Sequence, residues 1–319
     1  MKVVRFVFAL LSAFLATSIL AAYPDRPLRL IVPFPPGGAV DVLGRAIALN
    51  SRDVLGQNII VDNRAGFGGA VGSEIAAKST ADGYTLLMGS TSTISINPVL
   101  FSKLAYKPSD FAPVTLVGFV PHLLVSSMSV PASNLKEFIA YAKAHPGELQ
   151  YGSAGSGTPH HIAIEMFKQM TGTNLLHVPY KGTAPAVIDL LAGRVNLMSS
   201  EVLAVLPHVR AGKLRALGIA TPKRNQVAPD IPTVSEAGVP GFEVTSWYGV
   251  MVPAGTPHAI VAQLSSGIAK SLSTQDMHQR FADLGATPVG NTPEEFSAFV
   301  KREGAKWAKA VKDSGAKVE

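Results

Sequence analysis

Three glycine-rich segments contain the residue types best suited to holding a small anion. They read PFPPGG at residues 33–38, YGSAGSGTPHH at 151–161 and YKGTAP at 180–185. Glycine permits positive φ and lets a ligand approach backbone N–H groups closely, while proline stiffens the turn. Serine and threonine add hydroxyl donors. The chemistry that these three elbows predict is hydrogen bonding to a carboxylate or a similar anion.

Each elbow precedes a sequence that begins a helix. After the first elbow, a helix begins at residues 39–41. After the second elbow, Thr158 suits the N-cap of a helix whose first residue is Pro159. After the third, Thr183 suits the N-cap of a helix that has Pro185 in its first turn. The first N–H groups of a helix have no partner within it and lie at the positive end of its dipole, so they attract anions. One such turn could merely connect a strand to a helix, but three together indicate a binding site.

A fourth glycine-rich segment, GFGGAVG at residues 66–72, raises the alternative of a dinucleotide-binding loop. Its spacing is GxGxxxG rather than GxGxxG, and Asp82, the next acid in a suitable range, precedes a strand instead of ending one. We therefore interpret this segment as a tight structural turn.

Histidine and serine residues near the second elbow suggest two further chemistries. His160 and His161 point about 100° apart on a helix, and His161 shares a face only with Glu165, which is too few ligands for a metal site. We predict no metal site and interpret His160 as a ligand donor. Ser153 and Ser156 lie outside a GxSxG motif, and no base can be assigned to them from sequence.

Other residues of interest have a structural explanation beside a functional one. Lys181 is either an ion-pair partner for a carboxylate or a solvated loop lysine. Trp247 and Tyr248 either form a cleft wall or pack a hinge. Glu294 and Glu295 are adjacent, and a role at the start of a helix explains them better than a catalytic pair does.

Alternating apolar strands and amphipathic helices must position these elbows. The run LRLIVPF at residues 28–34 predicts a strand buried on both faces, and residues 39–55 predict a helix. Further strands are predicted at 58–62, 84–89, 123–126, 149–152, 175–180, 195–198, 214–220 and 248–252, and further helices at 72–79, 134–145, 159–170, 184–192, 202–210, 257–273 and after Thr292. The last helix has a good cap, because Pro293 and Glu295 follow Thr292. This order predicts doubly wound α/β sheets, whose strand carboxyl ends gather ligand-binding loops.

The alternation runs through two cycles, which predicts two lobes. The 319 residues exceed the usual size of one domain. We assign residues 23–125 and 247–319 to lobe one and residues 126–246 to lobe two, with two interlobe crossings. The first elbow then lies in lobe one and the other two in lobe two, so that closure brings donors from both sides onto one ligand.

The N-terminus predicts export. Lys2 and Arg5 precede an apolar run at residues 6–20 that is too short to span a bilayer comfortably, and Ala21 and Ala22 suit cleavage. Residues 1–22 are therefore predicted to be a signal peptide, with a retained membrane anchor as the alternative. A lipid-modified cysteine is impossible because the chain has no cysteine.

The charge distribution argues against nucleic acid as a partner. The net charge of +6 becomes +4 without Lys2 and Arg5, and the basic residues are scattered rather than interleaved with aromatic ones. A mildly positive surface still favours encounter with anions. The 47% hydrophobic and 16% charged composition suits buried cores and argues against disorder.

Six segments in a fixed order resemble one family, the substrate-binding components of tripartite tricarboxylate transporters, also called TctC-like or Bug proteins. The segments lie at residues 24–41 (PDRPLRLIVPFPPGGAVD), 62–69 (DNRAGFGG), 151–161, 177–195 (HVPYKGTAPAVIDLLAGRV), 212–221 (GKLRALGIAT) and 229–243 (PDIPTVSEAGVPGFE). The resemblance implies a type II periplasmic binding protein that captures carboxylates for a sodium- or proton-driven transporter. It also implies that backbone amides, hydroxyls and ordered waters, rather than an arginine, hold the ligand.

The resemblance implies a ligand shell at matching positions. This shell comprises Phe34, Pro35, Gly37, Gly38, Asp41, Ser153, Gly155, Gly157, Thr158, His160, Tyr180, Gly182 and Thr183, with Thr91, Ser92, Ser199 and Ser200 at other strand ends. Asn196 stands where the family commonly has aspartate, and the two serines stand where it often has an aromatic or small residue, which leaves the substrate preference open. Asp41 could cap a helix, or accept from a ligand ammonium or hydroxyl group.

We therefore expect a monomeric, periplasmic, two-lobed α/β solute-binding protein without cofactor or catalytic activity. Its expected partners are a small carboxylate (a di- or tricarboxylate, an amino acid or an aromatic acid) and integral-membrane transporter subunits. Two alternatives remain, namely a secreted serine hydrolase and a ligand-presenting partner of a sensor kinase.

Overall fold

The computed structural model describes residues 23–317, with ten strands and eleven α-helices in that range. The predicted signal peptide, residues 1–22, lies outside the described residues. The strands are β1 (Leu28–Val32), β2 (Ile59–Asn63), β3 (Thr85–Ser90), β4 (Phe111–Ser127), β5 (Gln150–Ser153), β6 (Leu176–Pro179), β7 (Leu197–Glu201), β8 (Leu214–Ile219), β9 (Thr245–Pro253) and β10 (Thr287–Pro288). The helices are α1 (Ala39–Asn50), α2 (Arg52–Leu55), α3 (Ala70–Ala77), α4 (Asn97–Leu100), α5 (Leu135–Ala144), α6 (Pro159–Thr171), α7 (Thr183–Leu191), α8 (Val202–Arg210), α9 (His258–Leu272), α10 (Gln275–Asp283) and α11 (Pro293–Ser314).

The strands form two joined sheets, one in each lobe, which confirms the two-lobed α/β prediction. In lobe one, β1 pairs in parallel with β2 and β3, and β9 and β4 continue the sheet in antiparallel pairings. In lobe two, β5 pairs in parallel with β6 and β7, while β4 pairs antiparallel with β7 and β8. The run predicted to be a strand buried on both faces is β1, with four of its five residues buried.

Strand β4 joins the two sheets and is much longer than predicted. The sequence predicts a strand only at residues 123–126, whereas β4 has 17 residues. Prolines normally interrupt a central strand. In β4, Pro113 lies at a shift in the register with β9, and Pro121 lies at the end of that pairing, as the last residue that pairs with β9. His122 is the first to pair with β7. The chain thus changes sheets at residues 121–122, close to the predicted crossing, and the exact lobe boundaries stay a prediction.

Helix starts follow the predicted caps with two exceptions. At α11, the Thr292 side chain accepts from the N–H of Glu295 and Glu295 accepts in return, which confirms the capping box. At α7, Gly182 is the N-cap and Thr183 is already helical, so the prediction that Thr183 caps is wrong. At α6, Thr158 is the N-cap, but its hydroxyl donates to the carbonyl of Gly155 instead of accepting from the helix.

The predicted helix at residues 39–55 is two helices. It is interrupted at Ser51, where α1 ends and the one-turn α2 begins, and Gly56 then ends α2 in a left-handed conformation. The π-helical segment Thr91–Ile96, which follows β3, was not predicted.

The C-terminal helix α11 contacts both lobes. Phe296 packs with Trp247 of lobe one, whereas Trp307 belongs to the apolar cluster that contains Phe138 and Phe167 of lobe two. The chain therefore returns to lobe two at its end, a contact that periodicity alone did not predict. Among the helices described in residues 23–317, none combines the length and apolar character needed to cross a membrane.

Candidate ligand-binding cleft

The first and third elbows meet face to face between the lobes. A Cβ atom placed on Gly182 would lie 2.9 Å from the Pro35 side chain, and one on Gly38 would lie 3.5 Å from Thr183 Oγ1. A distance of 2.9 Å is shorter than real Cβ contacts allow. Glycine at position 182, with φ of +135°, is therefore what permits this approach.

The second elbow meets lobe one at a different loop, residues 66–72. The Ser92 hydroxyl lies 2.8 Å from the carbonyl oxygen of Gly157 and 2.9 Å from that of Gly68. A Cβ atom on Gly68 would lie 2.5 Å from the carbonyl oxygen of Ser156. The lobes are therefore closed on each other, with the backbone of Gly68 in lobe one packed against that of Ser156 in lobe two.

A small inner chamber of about 20 Å³ lies behind these contacts. It is lined by Phe34, Val40, Ser90, Thr91, Ser92, Ala154, Thr158, Pro159, His160, Glu201, Ser246 and Tyr248. Such a volume suits about one water molecule or one ligand group of that size. Most of the lining residues bear a hydroxyl or an ionisable group, but the atoms that face the chamber are mainly apolar.

A larger outer pocket of about 560 Å³ adjoins the inner chamber, since Phe34 and Ala154 line both. Its other lining residues are Pro35, residues 65–69, Val71, Phe101, Gly155, Ser156, Pro179, Tyr180 and Lys181. Apolar and aromatic side chains predominate there, and Lys181 is the one cation among the lining residues within 23–317. The cleft thus has a narrow inner end and a wider outer end.

Glu201 is the buried acid of the inner chamber. Its Oε2 lies 2.8 Å from His160 Nε2, and its Oε1 accepts from the Tyr248 hydroxyl at 2.8 Å. Burial alone would raise the pKa of Glu201, but its attraction to His160 and the contact with that ring outweigh burial and lower the pKa. Burial and the adjacent Glu201 charge raise the pKa of Tyr248 well above 10, which keeps its hydroxyl proton in place as a donor.

His122 lies beside this group on β4. Its Nε2 is 2.8 Å from Ser246 Oγ, its Nδ1 is 3.1 Å from Ser199 Oγ, and its ring meets that of His160 edge to face at 5.1 Å. Burial lowers the pKa of His122 to about 3. The ring is thus neutral at neutral pH, with one nitrogen donating and the other accepting.

The predicted ligand residues divide among three places. The inner chamber is lined by Phe34, Thr91, Ser92, Thr158 and His160, and the outer pocket by Phe34, Pro35, Gly155 and Tyr180. Neither space is lined by the other predicted residues of the described chain: Gly37, Gly38, Asp41, Ser153, Gly157, Gly182, Thr183 and Ser200. Several of these contact the opposite lobe or hold an elbow in shape, so their direct contact with a ligand stays a prediction.

Asp41 holds the first elbow. Its Oδ2 accepts from the N–H of Gly37 at 3.1 Å and from Arg45 Nε at 3.0 Å, and its Oδ1 accepts from Asn63 Nδ2 at 2.9 Å. The same Asn63 amide donates to the carbonyl of Phe34 at 2.9 Å. Burial opposes ionisation, but these hydrogen bonds outweigh it and lower the pKa of Asp41. The Asp41 carboxylate therefore stabilises the turn at the first elbow and does not line the chamber.

Comparison with known proteins identifies the chain. The family model described as the tripartite tricarboxylate transporter family receptor, TctC, matches residues 43–316. The chain belongs to this family. Protein BugT of Bordetella pertussis is 40% identical over 321 residues, which cover 98% of each chain. The resemblance seen in the sequence is thereby confirmed.

Solved structures of TctC-family relatives share the fold. Rpa4515 of R. palustris, solved with adipate, has a TM-score of 0.90 at 38% identity and covers 93% of this chain and 100% of its own. MatC of Rhodopseudomonas palustris, solved with bound malate, has a TM-score of 0.86 at 35% identity, covering 91% and 100%. The fold is that of a periplasmic binding protein.

Ser153, a candidate nucleophile, has a histidine partner in this TctC protein. Ser153 Oγ lies 2.7 Å from His177 Nε2, a pairing that sequence could not assign. However, Ser153 is fully buried, accepts from the N–H of Gly155 at 3.1 Å and lines neither pocket. The Ser153–His177 pair therefore stabilises the second elbow from its buried side, away from both pockets.

The metal and dinucleotide alternatives also have structural explanations. His161 stacks on His177 with ring centroids 4.2 Å apart, and Glu165 Oε1 binds Lys168 Nζ at 2.8 Å. In residues 23–317, no group of three or more possible ligands could hold a metal ion. The loop at residues 66–72 contacts the second elbow through Gly68 and also lines the outer pocket.

Sequence reasoning missed three polar residues that line the inner chamber, Ser90, Glu201 and Ser246, and also His122, which contacts Ser246. Glu201 ends the buried strand β7 and is the N-cap of α8. An acid at the end of a buried strand was the signal that could have identified it. Tyr248 does line the chamber, which favours the cleft-wall alternative, whereas Trp247 packs against Phe296.

Proposed function

We propose that this TctC-family protein captures a small carboxylate between its lobes and delivers it unchanged to a tripartite tricarboxylate-type transporter. One observation carries the proposal: helices from both lobes begin at the same chamber. Val40, in the first turn of α1, and His160, in the first turn of α6, both line it. Helix N-termini offer free N–H groups and the positive end of a dipole to an anion.

The energies of such contacts suffice without an arginine. A hydrogen bond to a charged group contributes roughly 1.5–3 kcal/mol, and a helix terminus adds about 0.3–1 kcal/mol. Four such hydrogen bonds and two helix termini supply about 7–14 kcal/mol, a range that includes the roughly 8 kcal/mol required for micromolar affinity and, at its upper end, the cost of ordering.

The relatives support a carboxylate as the ligand class, since one was solved with adipate and another with bound malate. The same proposal includes export to the periplasm with cleavage of residues 1–22, and a monomeric state. It also includes one lobe formed by residues 23–125 with 247–319 and a second formed by residues 126–246. So does the absence of catalysis, which the burial of Ser153 supports.

A thermal-shift panel of mono-, di- and tricarboxylates tests the proposal. A ligand present at 100 times its Kd stabilises the protein by about 2.7 kcal/mol, which raises the Tm by several degrees. Small-angle X-ray scattering should show a more compact molecule with that ligand. Mass spectrometry should recover the ligand unchanged, whereas a hydrolase would release a product. If no carboxylate raises the Tm, the proposal fails.

Capture of the membrane partner tests the delivery step. The ligand-loaded protein, immobilised and exposed to solubilised membranes, is expected to retain multi-spanning transporter subunits. Retention of a sensor kinase instead would support the signalling alternative and contradict delivery to a transporter.

A further inference from the structure

The C-terminal helix α11 is held by both lobes at once. Its first part packs on lobe one, where Phe296 is fully buried and Val300 adjoins the apolar cluster that contains Trp247. Its second part packs against α6, and its buried Trp307 and Val311 belong to an apolar cluster formed mainly by residues of lobe two. Any movement of one lobe relative to the other therefore acts on α11.

Gly304 lies between these two sets of contacts. It follows Val300 by four residues and precedes Trp307 by three, so it lies on the side of α11 that faces the lobes, where it is partly buried. Beyond the turns of its own helix, no atom of the described residues would lie within 4 Å of a Cβ atom placed on Gly304. At Gly267 of α9, in contrast, such an atom would lie 2.5 Å from Leu55. Close packing requires glycine at position 267 but not at position 304.

Glycine is the residue at which α11 bends most easily. The helix is continuous from Pro293 to Ser314 in the closed form. Glycine inside a helix is less favourable than alanine because it loses more backbone freedom on becoming helical. The open space beside Gly304 also allows the two parts of α11 to change their angle without a clash. Both features favour a bend at this point.

Opening of the lobes requires α11 either to bend or to leave one lobe. Leaving lobe two would expose Trp307 and Val311, and leaving lobe one would expose Phe296. Exposing large apolar side chains to water costs more than disturbing a helix at a glycine. A bend at Gly304 is therefore the least costly way to open the cleft.

We propose that α11 bends at Gly304 when the lobes open, and that this glycine sets the equilibrium between the open and closed forms. The inference rests on the proposed capture of a ligand by lobe closure and identifies the element that tunes it. Because the closed form is the one that retains a ligand, the apparent affinity falls as the open fraction rises. A glycine at this position thus trades affinity for ease of release.

Gly304→Ala tests the inference directly. The added methyl group meets no atom in the closed form, and alanine resists the bend, so the open form is disfavoured. The ligand-free variant should be more compact than the wild type by small-angle X-ray scattering. The carboxylate identified by thermal shift should bind about fivefold more tightly, which corresponds to about 1 kcal/mol. A variant with the compactness and the affinity of the wild type would overturn the inference.

Two opposite substitutions separate bending from general helix stability. Ala305→Gly places a second glycine beside the first and should weaken binding about fivefold. Ala298→Gly is the matched control, because Ala298 is also exposed on α11 but lies in the part that packs on lobe one. Both variants should lose the same free energy of unfolding, and only Ala305→Gly should lose affinity. Equal losses of affinity would assign the effect to helix stability and overturn the inference. Circular dichroism confirms that each variant is folded.

Hydrogen exchange measured by mass spectrometry locates the bend in the unaltered protein. Amides of residues 303–308 should exchange faster without ligand than with it, whereas those of residues 309–314 should exchange at the same rate in both states. Faster exchange at residues 309–314 without ligand would show that α11 leaves lobe two, which would contradict a bend at Gly304. If no carboxylate binds, the proposed function fails, and scattering from the ligand-free Gly304→Ala protein still decides the inference.

Discussion

Ser92 of lobe one donates a hydrogen bond to the carbonyl oxygen of Gly157 in lobe two, 2.8 Å away. The same hydroxyl lies 2.9 Å from the Gly68 carbonyl of its own lobe, so one side chain links the two loops that meet on closure. Because this contact exists only when the lobes are closed, it should stabilise the ligand-bound form selectively.

Ser92→Ala is therefore expected to weaken ligand binding about fivefold, the equivalent of about 1 kcal/mol for one hydrogen bond. Titration of the carboxylate identified by thermal shift measures the effect. The matched control is Ser95→Ala, since Ser95 Oγ is buried without a hydrogen-bond partner in residues 23–317. Equal affinity of the two variants would show that Ser92 does not hold the lobes together.

Gly68→Ala should prevent full closure. The new Cβ atom would lie 2.5 Å from the Ser156 carbonyl oxygen, and backbone atoms at that distance must move apart. We expect at least a tenfold loss of affinity and, by small-angle scattering, a less compact ligand-bound form. Gly56→Ala is the control, because Gly56 has a similar φ, +74° against +58°, and no atom within 4 Å of the added Cβ.

Both glycine variants should lose roughly 1–2 kcal/mol of stability to the left-handed backbone conformation. Only Gly68→Ala should lose affinity. If Gly56→Ala loses as much affinity, backbone strain rather than the clash between lobes explains the effect.

The parts of the fold that sequence predicted are those with local signals. The elbows could be located because glycine, proline and threonine mark turns and helix starts within a few residues, as the capping box at Thr292 shows. The length of β4 could not be predicted, because Pro113 and Pro121 are tolerated only through pairing with β9, more than a hundred residues away.

The polar residues at and beside the chamber are brought together by contacts that are even less local. His122 meets Ser199 and Ser246, which lie 77 and 124 residues further along the chain. His160 and Glu201 are likewise brought together only by the packing of α6 beside β7. A single sequence gives the residue types but not these pairings, so the elbows were predicted and the acid between them was not.

Acid should destabilise the protein below pH 6.5. Burial lowers the pKa of His122 and of His177 to about 3, and that of His161 to about 4, whereas unfolded histidine titrates near 6.5. The unfolded chain therefore binds more protons between pH 6.5 and about 4, and stability is full above pH 6.5 and falls as the pH decreases through this window. Each of these histidines should contribute about 1.4 kcal/mol per pH unit near pH 5.

Chemical denaturation of His177→Gln at several pH values measures one such contribution. Glutamine keeps a polar group near Ser153 Oγ but binds no proton, so the slope of the free energy of unfolding against pH should decrease by about 1.4 kcal/mol per unit near pH 5. His258→Gln, at an exposed position, should keep the wild-type slope. An unchanged slope in His177→Gln would contradict the burial of an uncharged ring.

Asp41→Asn should reduce stability without changing ligand preference. The Asp41 carboxylate accepts from Gly37, Arg45 and Asn63, and an amide in its place turns one acceptor into a donor facing other donors. A loss of about 1–3 kcal/mol in the free energy of unfolding follows, with weaker binding of all ligands in equal proportion, because the first elbow is less well ordered. Denaturant titration, together with calorimetry of glutamate and glutarate, measures both effects, and Asp53→Asn, at an exposed helix start, is the matched control. A selective loss of glutamate affinity in Asp41→Asn would instead show that Asp41 contacts the ammonium group of that ligand.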